Sequence, residues 1–199
     1  HDGAFEIMAQ RELVLGTTLC KYRLIDEGSK VNINRVSRDI LLRLPGADEQ
    51  AVDAILSSSL RPFAQPGDLL RVEGVSREFY EACRHLLTVY GRGAVNINTV
   101  SREVLEVLGV DPVLAGNIVA FRAGADGIEG TKDDGVFESI ADIAANISGA
   151  AGRLTLPGVA FAVSADVLAV EAETFVNGAS AMGYYMIFDD NGLIGWDER

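Results

Sequence analysis

The residues best able to do chemistry lie in one loop. Asp126, Glu129, Asp133 and Asp134 place four carboxylates within nine residues, with Lys132 alone in opposition. Gly124, Gly127, Gly130 and Gly135 let the backbone curl so that carbonyl oxygens can also turn inward. Calcium takes roughly 6–8 oxygen ligands at about 2.3–2.6 Å, and this donor chemistry suits it. The spacing is not that of an EF-hand, since Ile128 and Gly130 stand where that loop needs other residues. Two readings stand: a calcium site, or a solvated acidic loop held open by charge repulsion.

Other reactive residues are sparse. The histidines are His1, at the chain end, and His85, in EACRHLLTV, where a partly buried helical histidine without catalytic role is expected. Nothing marks a nucleophile elbow, an oxyanion hole, a P-loop or a dinucleotide fingerprint, so catalysis is not expected. Cys20 and Cys83 form neither a CxxC pair nor a metal-type spacing. They read as two separate thiols, or as a disulfide in an oxidising compartment.

The bulk composition narrows the class further. With 199 residues, 48% of them hydrophobic, the chain can bury a sizeable core. The formal net charge of −12 repels phosphate backbones and argues against nucleic-acid partners. No stretch reaches the roughly 18 apolar residues of a membrane span, and no signal peptide is visible. His1 opens in what reads as a helix already under way, as truncation of a longer protein would produce.

Several elements must position these residues. Phe5, Met8, Ala9, Leu13 and Gly16 follow a 3–4 spacing that predicts a helix from Ala4 to Cys20. Phe5, Ile7, Met8, Val14 and Leu15 make that helix apolar on more than one face and are candidate partner-contact residues. Tyr22, Leu24 and Ile25 read as a strand, closed by a turn at Gly28-Ser29.

An internal repeat follows. Val31-Asn32-Ile33-Asn34 returns as Val95-Asn96-Ile97-Asn98, and Ser37, Leu41, Leu44 and Ala51 match Ser101, Leu105, Leu108 and Ala115. Further on, Phe63 aligns with Phe137 and Asp68-Leu69 with Asp142-Ile143, so the second copy is longer. The extra residues fall around Ala123 to Lys132, which makes the acidic loop an insertion. Each copy reads as helix, tight turn, helix and a short third helix, with Asn34 and Asn98 as candidate N-caps. Arg77 to Tyr90 reads as a connecting helix, with Phe79, Cys83, Leu86 and Leu87 inward.

After about Gly152 the pattern turns to alternation. Strands are expected over Ala165 to Phe175, Met182 to Phe188 and Leu193 to Trp196, with a hairpin turn at Asp189-Asp190-Asn191-Gly192. The order predicts an α+β fold. The two helical copies resemble helix-hairpin-helix elements, which often bind DNA. Their turns, Gly46-Ala47-Asp48-Glu49 and Gly109-Val110-Asp111-Pro112, carry Asp where a DNA-binding turn has its second glycine.

The run Ile25-Asp26-Glu27-Gly28-Ser29-Lys30-Val31-Asn32-Ile33-Asn34 resembles the signature of the general secretion pathway protein K family, the K-class minor pseudopilins of type II secretion. Leu44-Pro45-Gly46, the second Asn-x-Asn unit, the acidic Gly-rich loop and a β-rich tail ending near Trp196 follow in the same order. The resemblance implies a pilin-like N-terminal helix on a small antiparallel sheet. A large all-helical domain of two helix-hairpin-helix-like repeats would be inserted after the first strand. The division would be 1–30 for the helix and first strand, 31–150 for the inserted domain (repeats about 31–75 and 95–145) and 151–199 for the remaining sheet. It also implies calcium in the acidic loop, I-class and J-class minor pseudopilins as partners, and a periplasmic position at the pseudopilus tip. Membrane contact would come only through a hydrophobic helix upstream of His1. The alternative is a calcium-dependent extracellular protein-binding module.

Overall fold

The structure, a computed structural model, describes residues 11–198. In chain order its strands are β1 (Arg11–Leu15), β2 (Thr18–Asp26), β3 (Val31–Asn32), β4 (Leu87–Thr88), β5 (Ala94–Asn96), β6 (Ala160–Ala162), β7 (Leu168–Val176), β8 (Ala179–Asp189) and β9 (Gly192–Glu198). The helices are α1 (Arg38–Leu41), α2 (Glu49–Ser57), α3 (Arg77–Cys83), α4 (Arg102–Leu108), α5 (Pro112–Arg122) and α6 (Ile140–Asn146). Short 3-10 turns occupy Glu27–Ser29, Pro66–Arg71 and Arg84–Leu86.

Five strands form one antiparallel sheet in the order β1-β2-β7-β8-β9. The α+β expectation therefore holds in its coarse form. The helix expected from Ala4 to Cys20 is corrected over Arg11 to Cys20, which is a β-hairpin; Ala4 to Gln10 lie outside the described residues. The reason is local. Gly16 adopts φ +64°, where a helix would need a negative angle, so the chain reverses there. The flanks RELVL and TLCKYRLID then pair in register, Leu13 opposite Cys20.

Alternation gives the sheet two unlike faces. Paired residues share a face, so Leu13, Leu15, Cys20, Tyr22, Leu24, Leu168, Val170, Ala172, Met182, Tyr184, Met186, Phe188, Leu193 and Trp196 all lie on one side. Charges reach that face only at its ends, through Arg11, Asp26 and Glu198. The opposite face carries Glu12, Lys21, Arg23, Glu171, Glu173 and Asp197, and its Ile25–Ala169–Tyr185–Ile187 corner packs in a small apolar cluster with Val167 and Tyr90.

The expected C-terminal strands are present with shifted ends. Asn177 and Gly178 both take positive φ between β7 and β8, the signature of a tight hairpin turn. At the β8–β9 hairpin it is Gly192 that does so, not Asn191.

Between β2 and β7 lie the helices, around a separate apolar cluster that includes Ile33, Leu41, Val52, Ile55, Leu69, Ile97, Leu105, Leu114, Ile118, Phe137 and Ile143. The segment is not purely helical. β3 pairs with β4 and β5 with β6, each in a short parallel ladder. The connecting helix expected over Arg77 to Tyr90 likewise ends at Cys83 and passes through a 3-10 turn into β4.

The repeat is visible in the bonding as well as the sequence. Asn34 and Asn98 are not N-caps; Ser37 and Ser101 occupy those positions, and the Ser101 side chain accepts from Val104 N. Each asparagine instead clips a distant backbone. Asn34 Oδ1 accepts from Phe63 N at 2.8 Å while Nδ2 donates to Phe63 O at 3.0 Å. Asn98 does the same with Phe137, both bonds at 2.9 Å, and adds a bond to Val163 O at 3.0 Å. The carboxylate of Asp68 then accepts from Ala64 N and Gln65 N, as Asp142 accepts from Glu138 N and Ser139 N.

Candidate functional site

The acidic loop leaves the C-terminus of α5. Gly124, at φ +61°, sits so close to Asp133 that a Cβ there would lie 2.6 Å from its carbonyl oxygen. At the far end, a Cβ on Gly135 would meet Phe121 O at 2.5 Å, and Gly135 N donates to that same oxygen at 3.2 Å. These close approaches fold the loop back on itself and bring carboxylates together.

Asp126, Asp133 and Asp134 each present an oxygen within 4.8 Å of the others. The Thr131 hydroxyl lies 2.7 Å from Asp133 Oδ1 and 3.1 Å from Asp134 Oδ1. Asp133 Oδ2 accepts from Ala125 N at 2.7 Å and Asp126 N at 3.1 Å. Asp126 and Asp134 accept from Ile128 N and Gly130 N. The Thr131 hydroxyl and these backbone donors hold the Asp133 carboxyl below the usual carboxylate range. Three converging hard oxygen donors fit a calcium-like cation, with carbonyls and water left to complete its shell.

Glu129 does not join them. Its Oε1 accepts from Nε of Arg122 at 3.0 Å and also pairs with Nη2. Arg122 is 4% exposed, and its Nη1 donates to Val100 O at 2.6 Å and Ile97 O at 3.1 Å. A buried guanidinium needs a counter-charge, and Glu129 supplies it. The fourth predicted ligand is thus a tether holding the loop to the second copy of the repeat.

Val14 and Leu15 are exposed on β1, the edge strand of the sheet, and point to opposite faces. Phe5, Ile7 and Met8 lie outside the described residues. His85 is more exposed than expected: its side chain is over half accessible and faces Glu103 at 3.2 Å. It borders an open cleft of about 1110 Å³ between sheet and helices. Arg23–Glu171, Arg71–Asp68 and Arg84–Glu81 also line that cleft as ion pairs. Cys20 and Cys83 are free thiols, and burial pushes Cys83 up to about 12, too high for reactivity at neutral pH.

In the hairpin turns, Asp48 accepts from Ala51 N, and Asp111 from Val113 N and Leu114 N. Each carboxylate caps the amides that a phosphate would otherwise use.

Sequence reasoning gave no role to two further residues. Asp26 ends β2 and Glu27 opens the 3-10 turn after it, at 2% and 1% exposure, buried where sheet and helices meet. The available signal was two adjacent acids directly after a strand pattern, which periodicity alone cannot mark as buried.

No family model matches the chain, and no curated protein does. Among solved structures, a chain of the GspK-GspI-GspJ complex from the enterotoxigenic Escherichia coli type 2 secretion system is similar over 96% of this chain and 83% of its own length. The TM-score is 0.68 at 13% identity. At that identity the likeness concerns architecture, and the fold of this chain is pseudopilin-like.

Proposed function

We propose that the chain is the periplasmic part of a K-class minor pseudopilin and acts by assembly, not by catalysis. The observation that carries this reading is the likeness of nearly the whole chain to a subunit of a pseudopilin complex. The apolar face of the sheet, with charges only at its ends, supports it, because such a face needs a cover. In this reading a hydrophobic helix upstream of His1 anchors the protein in the inner membrane. Residues 31–150 form the inserted domain of two helix-hairpin-helix-like repeats, and residues 1–30 and 151–199 the pilin frame. The apolar cluster of the repeats extends to Val163, which argues for placing the second boundary a little later.

The I-class and J-class minor pseudopilins are the proposed partners, and the bulk of the repeats would hinder addition of a further subunit at the pseudopilus tip. Co-purification of the three gives a stable ternary complex if this is right. A persistent monomer in the presence of both partners would overturn it.

Calcium is the proposed cofactor of the loop, held by Asp126, Asp133 and Asp134 and acting structurally. It would neutralise three carboxylates and hold the loop in its folded form. Melting with calcium or with chelator is the test: a higher melting temperature with the ion is expected, and no shift would count against it. A calcium-dependent extracellular binding module remains the second reading, favoured by the same cluster. It predicts the calcium shift without the ternary complex.

A further inference from the structure

The junction between sheet and helices combines a small apolar cluster, to which Tyr90 contributes from the helical side, with two buried acids. The chain crosses it twice, after β2 and again between β6 and β7. The apolar cluster on the sheet side is small: Val167, Ala169, Tyr185 and Ile187, with Ile25 and Tyr90 against it. Between that cluster and the helical core sit Asp26 and Glu27.

Each acid reaches a different part of the molecule. Asp26 Oδ1 accepts from Gly28 N at 2.7 Å. Its Oδ2 accepts from Asn96 Nδ2 at 2.7 Å and Thr99 Oγ1 at 2.5 Å, both in the second copy of the repeat. Glu27 Oε2 accepts from Thr88 Oγ1 of β4, which closes the first copy. Its Oε1 takes Tyr185 of β8 and Lys30 Nζ, the latter at 2.6 Å. Glu27 N meanwhile donates to Val167 O at 3.0 Å, bridging the two crossings.

The copies diverge at this point. Asn32 Nδ2, the counterpart of Asn96 Nδ2, goes to Tyr90 O inside the helical region, whereas Asn96 turns to the Asp26 carboxylate. Two adjacent residues therefore hold both copies and the sheet. Space is tight as well, since a Cβ on Gly28 would lie 3.0 Å from Asp26 Oδ1.

We propose that Asp26 and Glu27 form a polar lock that fixes the five-stranded sheet on the helical region, and that opening it frees the two to move as separate bodies. Hydrogen bonds are directional, so a lock of this kind sets one relative orientation, where a small greasy contact would tolerate several. The inference rests on the junction itself and holds whatever the partners of the chain are.

The test is a double variant, Thr88→Val with Thr99→Val, which removes one donor from each acid and, at Thr88, also the acceptor of Tyr90 N. Residual dipolar couplings and amide hydrogen exchange are read on the full chain. Opening of the lock requires two alignment tensors, one per body, and at least a tenfold faster exchange of amides 26–30, 88–99 and 166–169. Amides within α2, α4 and α5 and the middle of β7 and β8 keep the parent rates. A single tensor with unchanged rates would overturn the proposal, and so would equal loss of protection throughout, which is the mark of a merely stabilising network. If the double variant fails to fold, Tyr185→Phe is read in the same way, because it removes one donor from Glu27 and leaves the ring in place.

Discussion

Asp26 carries a pH dependence opposite in sign to that of its neighbours in sequence space. Burial raises its carboxyl above the ordinary range, against donation from Thr99, Asn96 and Gly28, and Asp166 adds repulsion. Lys30 and Tyr185, the other titratable groups at the junction, bond to Glu27. A folded-state pKa above the unfolded value of about 4 favours folding most at low pH, and that contribution is lost as pH rises through the folded value. Asp68 and Asp133 behave conversely. Asp68 is lowered despite its burial by Gln65, Ala64 and Arg71, and Asp133 by Thr131 and the loop amides. Their contributions are present above about pH 4 and disappear as pH falls through their depressed values. Urea midpoints across the acid range should therefore show Asp26→Asn removing the decline on the side above about pH 4 and sparing the limb below it. A variant curve parallel to the parent would contradict this. Of these residues only Asp133 stood out in the sequence as a candidate ligand, because a charge cluster is visible there; Asp26 and Asp68 were noted in a motif and a repeat, where burial is not visible. Glu129 shows the same limit: its carboxylate counts as one of the cluster until the buried Arg122 seven residues earlier is known to need it.

Among the elements, the repeat was the most legible feature and the first helix the least. The 64-residue echo in Val31–Asn34 and Val95–Asn98 corresponds to two copies of one ladder-and-clip arrangement. What the sequence could not assign is the work of Asn34 and Asn98, since their partners lie 29 and 39 residues away, beyond any local capping rule. Substitution separates the copies. Asn98→Ala leaves Phe137 N and O and Val163 O without partners, whereas Asn34→Ala strands only Phe63. Each lost hydrogen bond costs about 0.5–1.5 kcal/mol net, so both variants are destabilised towards chemical denaturation, Asn98→Ala by the larger amount, on the order of 2–4 kcal/mol. The first helix misled for the opposite reason. Leu13 and Gly16 fit a 3.6 period by coincidence, while Gly16 is the turn of a hairpin. The correction changes what Val14 and Leu15 can do. On the edge strand of the described sheet they offer exposed side chains to a neighbour. Val14→Lys with Leu15→Lys should alter the stability of the isolated chain by only about 0.5 kcal/mol. If the edge is a partner contact, pull-down of the proposed pseudopilin partners by this variant falls, and retention at the parent level removes β1 from the interface.

At the scale of the whole molecule, the argument turns on the sheet's apolar face and what covers it. A face of four or more side chains on each long strand, without a charge in its interior, is not stable against water over that area. The polar opposite face shows that this is patterning and not a generally greasy surface: Lys21 pairs with Glu12 there and Arg23 with Glu171. The chain also carries its own reporter. Trp196 is the only tryptophan, it stands on the apolar face, and it is 64% exposed. Indole emission shifts to the blue and resists quenching when water is removed from around the ring. A chain lengthened upstream of His1, or the complex with the I-class and J-class subunits, is expected to show reduced acrylamide quenching of Trp196 relative to the 199-residue chain alone. Because the proposed calcium site lies in the acidic loop, outside the sheet, chelator should not change the signal. An unaltered Trp196 in the lengthened chain and in the complex alike would mean that the cover does not reach β9, and would confine any packed helix to the β2–β7 half of the sheet.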